Sequence, residues 1–256
     1  ISMAPLPSLT LARKIVRWYL NDQFKAVIVY GDLRIGKSTY ALKVMGQVYE
    51  YLYDEPLSPS LIDNYMGWHP AEVIKSWKNI KRIARNRRKI PVYTWDDAGV
   101  WLFSLDWNDP LLRAIQRYMN LIGTDMACLI MTTPDPTFIL SKIRRLPGLI
   151  RIEVKPSTSQ NKEWPKNADR VAIAYQKRYL PDSQKFYMRK LWRDNFRAVL
   201  PDEIYKYYTP IRERYTEMAK EMMWEALIKK AEEDPKYGGI VKILNEKPPI
   251  SMEAQI

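Results

Sequence analysis

The chain has 256 residues, a net charge of +12, one cysteine (Cys128) and one histidine (His69). That inventory excludes an internal disulfide framework and a zinc centre, and no apolar run has the length of a membrane span or the form of a secretory signal, so the expected setting is the cytoplasm with no membrane partner. The 46% hydrophobic content is enough for a core, and the surplus of lysine and arginine predicts a polyanionic partner, DNA ahead of a membrane surface.

Residues 1–8, with Pro5 and Pro7, read as a loose tail. Thr10 is expected to cap a helix that turns Leu11, Ile15, Trp18 and Tyr19 to one face and Arg13, Lys14 and Arg17 elsewhere, covering an edge of the core. Residues 26–30 then form a mostly β-branched, apolar strand of the buried parallel type. They run into Gly31-Asp32-Leu33-Arg34-Ile35-Gly36-Lys37-Ser38-Thr39, which fits G-x-x-x-x-G-K-[ST]. Two glycines let such a loop wrap its N–H groups round a polyphosphate. Lys37 reaches the β/γ-phosphates, and the Ser38 hydroxyl can ligate Mg²⁺. The helix that follows, with Ala41, Val44, Met45, Val48 and Leu52 at helical spacing, aims its positive end at the anion. The expected ligand is a nucleoside triphosphate with Mg²⁺.

After a turn at 56–60, residues 61–66 are expected to form a second strand. His69-Pro70 opens the next helix, whose inner face is Val73, Ile74, Trp77, Ile80 and Ala84; His69 reads as its cap rather than as a catalyst. That helix ends in the basic block 81–89, either a solvated helix end, a phosphate contact or a subunit boundary. Residues 90–95 form a third strand ending in Asp96-Asp97. There Asp96 would hold the Mg²⁺ shell through water, and Asp97 would orient or deprotonate an attacking water.

Asp109-Pro110 caps a helix with Leu111, Leu112, Ile115, Tyr118, Met119 and Ile122 inward. Residues 126–131, uncharged throughout, form a strand buried on both faces, with Cys128 as inert core. It delivers Thr132 and Thr133 at its carboxyl end, where ligands sit in open α/β sheets. A hydroxyl there either holds the attacking water or stabilises the turn. A short helix at 138–143 leads to Arg144 and Arg145. Those arginines either reach a γ-phosphate in a neighbouring subunit, bind DNA or make surface ion pairs. Residues 149–154 are a fifth strand.

Residues 156–168 are a polar loop. Two strands at 171–175 and 186–192 then form a hairpin carrying Arg170, Lys177, Arg178, Lys185, Arg189, Lys190, Arg193 and Arg197 among aromatics. Such a hairpin is either a nucleic-acid face or a solubilised sheet edge. Pro201-Asp202-Glu203 starts a short helix and Thr209-Pro210 caps a longer one. The stripe of that longer helix, Ile211, Tyr215, Met218, Met222, Ala226 and Leu227, packs on the core or binds a partner. Residues from 238 onward read as a tail.

With those motifs placed, residues 25–155 resemble the AAA+ branch of P-loop ATPases. Trp95-Asp96-Asp97-Ala98-Gly99 is similar to the Asp-Asp segment of replication initiators and helicase loaders of the DnaA and DnaC kind. Thr132-Thr133-Pro134 resembles a sensor-1 position, and Arg144-Arg145-Leu146-Pro147-Gly148 with the strand after it resembles the arginine-finger segment. The whole chain resembles small basic ATPases carried by crenarchaeal viruses and plasmids. The resemblance implies an α/β fold, a parallel-sheet P-loop NTPase core of AAA+/RecA type with a C-terminal β-hairpin and helix addition. It also implies ATP and Mg²⁺ as cofactors, DNA as partner, ATP-linked homo-oligomerisation, and replication initiation or helicase loading, with other replication or packaging proteins as further partners.

Two departures stand out. Asp97 occupies a position where most AAA+ proteins have Glu, and strands stand where a helical lid with a sensor-2 arginine would follow. An added hairpin resembles HerA/FtsK-type motors, which makes DNA translocation or packaging the alternative. A small-molecule or nucleotide kinase, and a nucleotide-binding interaction protein, are further readings of the same P-loop. The expected organisation is a tail and covering helix (1–24), an ATPase core (25–156), a basic hairpin with C-terminal helices packed on the core (157–236) and a tail (237–256).

Overall fold

The computed structural model describes residues 5–84, 87–157, 169–180, 184–234, 236, 237 and 239. The first four residues, most of the polar loop, the hairpin turn at 181–183 and nearly all of the expected C-terminal tail therefore lie outside the described residues. The elements run α1 (Thr10–Leu20), β1 (Lys25–Tyr30), α2 (Lys37–Tyr53), α3 (Pro59–Tyr65), β2 (Met66–Gly67), α4 (Pro70–Lys78), α5 (Ile80–Ile83), β3 (Tyr93–Trp95) and α6 (Ala98–Trp101). They continue as α7 (Pro110–Tyr118), β4 (Cys128–Thr133), α8 (Ser141–Arg144), β5 (Ile150–Pro156), β6 (Asp169–Leu180), β7 (Lys185–Arg197) and α9 (Asp202–Glu233).

Seven strands make one sheet in the order β2-β3-β4-β1-β5-β6-β7. The first five are mutually parallel, and β6 and β7 add to the β5 side in antiparallel fashion. The fold is thus α/β, a P-loop NTPase sheet extended by a C-terminal hairpin. β4, uncharged and buried at every position, separates the P-loop strand β1 from β3, which carries the aspartate pair. Such strands, shielded on both faces, read as unbroken apolar runs because neither face meets water. α2 packs on β1, β3 and β4, while α1 packs on α2, β4 and β7. Tyr40, Leu42, Met45, Val48 and Tyr49 of α2 are fully buried.

The segment 61–66 is not a strand. Ser58 caps α3 by accepting from the Leu61 N–H, Pro59 occupies the first turn, and β2 is confined to Met66 and Gly67. Leu61, Ile62 and Tyr65 recur at helical spacing and are buried; the short apolar run fits either period, and the Ser-Pro start decides it. Leu111, expected inward, is exposed, whereas Leu112, Ile115, Met119 and Ile122 are buried. The two expected C-terminal helices are one: α9 runs through Pro210. A proline removes a single intrahelical donor, which a helix of 32 residues can absorb by local bending.

The chain divides into two compact units, residues 1–205 and 206–256. The second unit is the body of α9, along which Met222, Met223 and Trp224 are exposed. No helix among the described residues is long and apolar enough to cross a membrane.

Candidate functional site

β1 ends at Tyr30, and its register pairs Val29 with Thr132 and Tyr30 with Thr133. β3 pairs Trp95 with Met131, so Asp96 comes level with Thr132. The loops leaving β1, β3 and β4 therefore emerge together from one edge of the sheet, the edge at which parallel α/β sheets bind ligands. A backbone bond from the Gly31 N–H to the Pro134 carbonyl, 3.2 Å, ties the first residue of the P-loop to the turn after β4.

The loop has the backbone its glycines permit. Gly31 and Gly36 take φ of +141° and +106°. A Cβ on Gly31 would also run into the Val154 carbonyl oxygen, so that position is closed to any side chain on two grounds. Ile35 is fully buried and anchors the loop, while Asp32, Leu33 and Arg34 face solvent. α2 begins at Lys37 with Gly36 as a cap that offers no side-chain acceptor, which leaves its first N–H groups to an external anion. Lys37 is buried, and its ammonium donates to the Gly31 and Asp32 carbonyls at 2.9 and 2.7 Å, holding the cation over the loop mouth. Ser38 and Thr39 follow in the first turn, half-buried.

Across the edge stands the carboxylate pair. Asp96 is fully buried. One of its oxygens accepts from the Thr132 hydroxyl at 2.6 Å, and that same hydroxyl oxygen accepts from the Asp97 N–H at 2.8 Å. Thr132 thus joins the Asp96 side chain to the Asp97 backbone. Asp97 is half-buried and takes φ of +48°, as the cap residue of α6. A left-handed aspartate is tolerated better than most residues there, yet it stores strain of a kind that clusters at functional sites. Thr133 donates to the Asp135 carbonyl at 2.9 Å, closing the turn.

An uncapped helix start, a buried ammonium and two positive-φ glycines form a cradle for a polyphosphate. The hydroxyl of Ser38 and the carboxylate of Asp96 are hard oxygen donors that suit Mg²⁺ shared with phosphate and water. No group of three His, Cys, Asp or Glu side chains among the described residues could hold a metal ion by itself.

Arg144 and Arg145 are placed elsewhere. They line a cleft of about 540 Å³ with Arg151, Lys177 and Phe186 of their own chain, and neither the P-loop nor the aspartate pair borders it. His69 does cap α4, its Nδ1 accepting from the Ala71 N–H at 3.1 Å. The basic block is partly structural: Lys89, buried, pairs with Asp22 at 2.8 Å, Arg88 pairs with the same carboxylate at 2.8 Å, and Arg87 pairs with Glu55 and stacks on Tyr53. The Lys89 ammonium beside Asp22 holds that carboxyl below its usual range.

Two functional neighbours escape a reading of the chain in order. Arg170, grouped in sequence with the exposed hairpin cations, is 2% exposed and donates from Nε to the Ile35 carbonyl at 3.1 Å. Asp194 of β7 is buried and accepts from the Tyr40 hydroxyl of α2 at 2.8 Å and from the N–H groups of Thr10 and Leu11. Their only signal is an acidic or basic residue at an inward-facing strand position.

No protein-family model matches the chain. The uncharacterized protein B-251 of Sulfolobus spindle-shape virus 1 is 30% identical over 227 residues, covering 86% of each chain. Among solved structures, the genome packaging NTPase B204 from Sulfolobus turreted icosahedral virus 2, in complex with AMPPCP, is similar with a TM-score of 0.38 and 13% identity, over 66% of this chain and 98% of that one. The N-terminal domain of zonular occludens toxin from Neisseria meningitidis is similar with a TM-score of 0.38 and 10% identity, over 72% and 98%.

Proposed function

As the chain belongs to the family of the uncharacterized protein B-251 of Sulfolobus spindle-shape virus 1, we propose that it is an Mg²⁺-dependent ATPase that moves or packages DNA for a virus or plasmid. The observation that carries the motor reading is the hairpin. β6 and β7 continue the sheet directly from β5, in the place where an AAA+ core would be followed by a helical lid, and their outer half is basic and exposed. In this reading the P-loop and Lys37 bind the triphosphate, and Ser38 and Asp96 hold Mg²⁺, which supplies charge neutralisation at the transferred phosphoryl group. Asp97 orients the attacking water, and the arginines of the 144–151 segment either reach the γ-phosphate in a neighbouring subunit of an oligomer or engage DNA.

Replication initiation or helicase loading is the second reading, favoured by the paired aspartates at the end of β3. ATP hydrolysis measured with and without DNA, with oligomeric state followed in the same samples, separates the two. A motor turns over rapidly and is stimulated by DNA; an initiator hydrolyses slowly and assembles on ATP. The Lys37→Ala variant is the control, and unchanged hydrolysis in it overturns both.

A further inference from the structure

The hairpin outruns the sheet it extends. β5 pairs with β6 only as far as Gln176, so Lys177, Arg178, Tyr179 and Leu180 pair with β7 alone, opposite Met188, Tyr187, Phe186 and Lys185. A register shift in the β6–β7 pairing between Ala174 and Tyr175 lies just before the point where this ribbon leaves the body of the sheet, as bulges re-aim strands elsewhere. Strand alternation puts Lys177, Tyr179, Phe186 and Met188 on one face of the ribbon. Tyr179 and Phe186 lie with ring centroids 5.1 Å apart, and Lys177 Nζ is 3.9 Å from the Phe186 centroid. Both rings are more than half exposed.

Lys177 and Phe186 of that face line the 540 Å³ cleft, whose other wall is α8 and the turn after it, with Tyr179 beside Phe186 at its rim. Arg144, Arg145, Arg151 and Lys177 converge there and no carboxylate lines the cleft itself; Asp135, outside it, feels the charges of Arg144 and Arg151 but makes no close ion pair with either among the described residues. Arg144 Nε is buried without a hydrogen-bond partner, an unsatisfied donor that costs free energy. Four like charges in one cleft repel one another, and a polyanion relieves that repulsion. The ring pair chooses among polyanions. Aromatic faces stack on bases whose own faces are free, as in a single strand and not inside a duplex.

We propose that the cleft between α8 and the β6–β7 ribbon holds a single-stranded nucleic acid, its phosphates on Arg144, Arg145, Arg151 and Lys177 and a base against Phe186 and Tyr179. The proposal rests on the DNA-directed reading above and narrows it to one strand and one place. It also gives Arg144 and Arg145 a task within their own subunit.

Fluorescence anisotropy of the full chain with a labelled oligo(dT), and with the same label on a duplex, tests it. Phe186→Ala is expected to weaken oligo(dT) binding about five- to 150-fold, the range for losing one base–aromatic stack. Arg145→Ala is expected to lower the slope of log affinity against log salt by about 0.7, the single-strand value per phosphate contact. Both side chains face solvent, so neither change threatens the fold. If wild type binds oligo(dT) and both variants bind it equally, the cleft is overturned while the DNA reading survives. If wild type prefers duplex, the single-strand assignment is overturned. If Arg145→Ala lowers only DNA-free ATP turnover, it is an arginine finger and the cleft assignment is overturned. If wild type binds no nucleic acid, both readings fall.

Discussion

Arg170 and Ile35 are 135 residues apart, yet the guanidinium Nε of one donates to the carbonyl of the other at 3.1 Å inside the protein. The bond fastens the base of the hairpin to the middle of the P-loop. Phe196 and Asp194 of β7 reinforce it against Tyr40 of α2, the ring centroids of Phe196 and Tyr40 being 5.1 Å apart. A Cβ on Gly36 would already stand 3.0 Å from the Ala198 side chain. The base of the hairpin is therefore in direct contact with the P-loop and with the helix that follows it.

Arg170→Met, which keeps the apolar length of the side chain, leaves the Ile35 carbonyl without its donor. A loss of stability of about 1–3 kcal/mol is expected for a buried acceptor so abandoned, together with weaker binding of an ATP analogue. Thermal melting and analogue titration on the same preparations measure both. Weakened stability with unaltered nucleotide affinity would show that the arginine supports the fold and leaves the loop alone.

Thr132 carries two bonds that hold the aspartate pair in register, one to the Asp96 carboxylate and one from the Asp97 N–H. Thr132→Val preserves shape and removes both. The expected result is a loss of about 1–3 kcal/mol from the unsatisfied buried groups and a fall in turnover larger than any fall in nucleotide affinity. Thr132→Ser, which retains the hydroxyl, is expected to recover most of the turnover.

Asp97→Asn conserves volume and removes one charge. Its backbone position at φ of +48° is one that asparagine tolerates as well as aspartate, so the fold is expected to persist. Nucleotide binding should remain while steady-state hydrolysis drops by about a hundredfold or more, in line with the loss of a general base. Normal turnover in this variant would assign water activation to another group.

The parts of this site that could be read from the chain are those encoded locally. Gly31, Gly36, Lys37 and Ser38 are spaced by the needs of one loop, and Asp96 and Asp97 stand at the end of one strand, so each motif is whole within a short window. Arg170 and Asp194 are different. In the chain they sit among exposed lysines and arginines, and only the antiparallel docking of β6 on β5 turns them inward. Residues 61–66 mislead for a related reason: an apolar stretch that short fits a strand or a helical turn, and Ser58 and Pro59 upstream settle it. α9 shows the converse, a Thr-Pro helix start overridden within a longer helix.

Cys128 lies at the start of β4, fully buried, and burial pushes its thiol well above the usual range. The thiolate is the reacting species with disulfide and maleimide reagents. The native protein is therefore expected to resist such reagents at pH 7–8, as counted by absorbance or mass, and to react fully once unfolded in denaturant. Because β4 is an interior strand, flanked by β1 and β3, the rate of native labelling reports opening of the sheet itself. Rapid native labelling would contradict its position in the core.

Gly99 offers the sharpest test of how the aspartate-bearing end of the sheet is assembled. It lies in α6, whose first turn is capped by the strained Asp97, and α6 packs directly on β4. A Cβ placed on Gly99 would collide with the Thr133 hydroxyl and come within 3.1 Å of the Thr133 Cβ and 3.3 Å of the Phe138 Cβ. Gly99→Ala must therefore lift α6 from the sheet or displace Thr133, and lifting α6 carries Asp97 with it. A shift of about 1 Å in a positioning group can lower a rate by roughly a hundredfold, so turnover is expected to fall well over tenfold. Nucleotide affinity should change little, because the P-loop hangs on β1 and α2. Adding Thr133→Ala removes the hydroxyl that obstructs the new methyl group, and the double variant is expected to turn over faster than Gly99→Ala alone. Because the two residues touch, such non-additivity is the signature of a shared steric cause; strictly additive losses would place the effect of Gly99 outside its contact with Thr133.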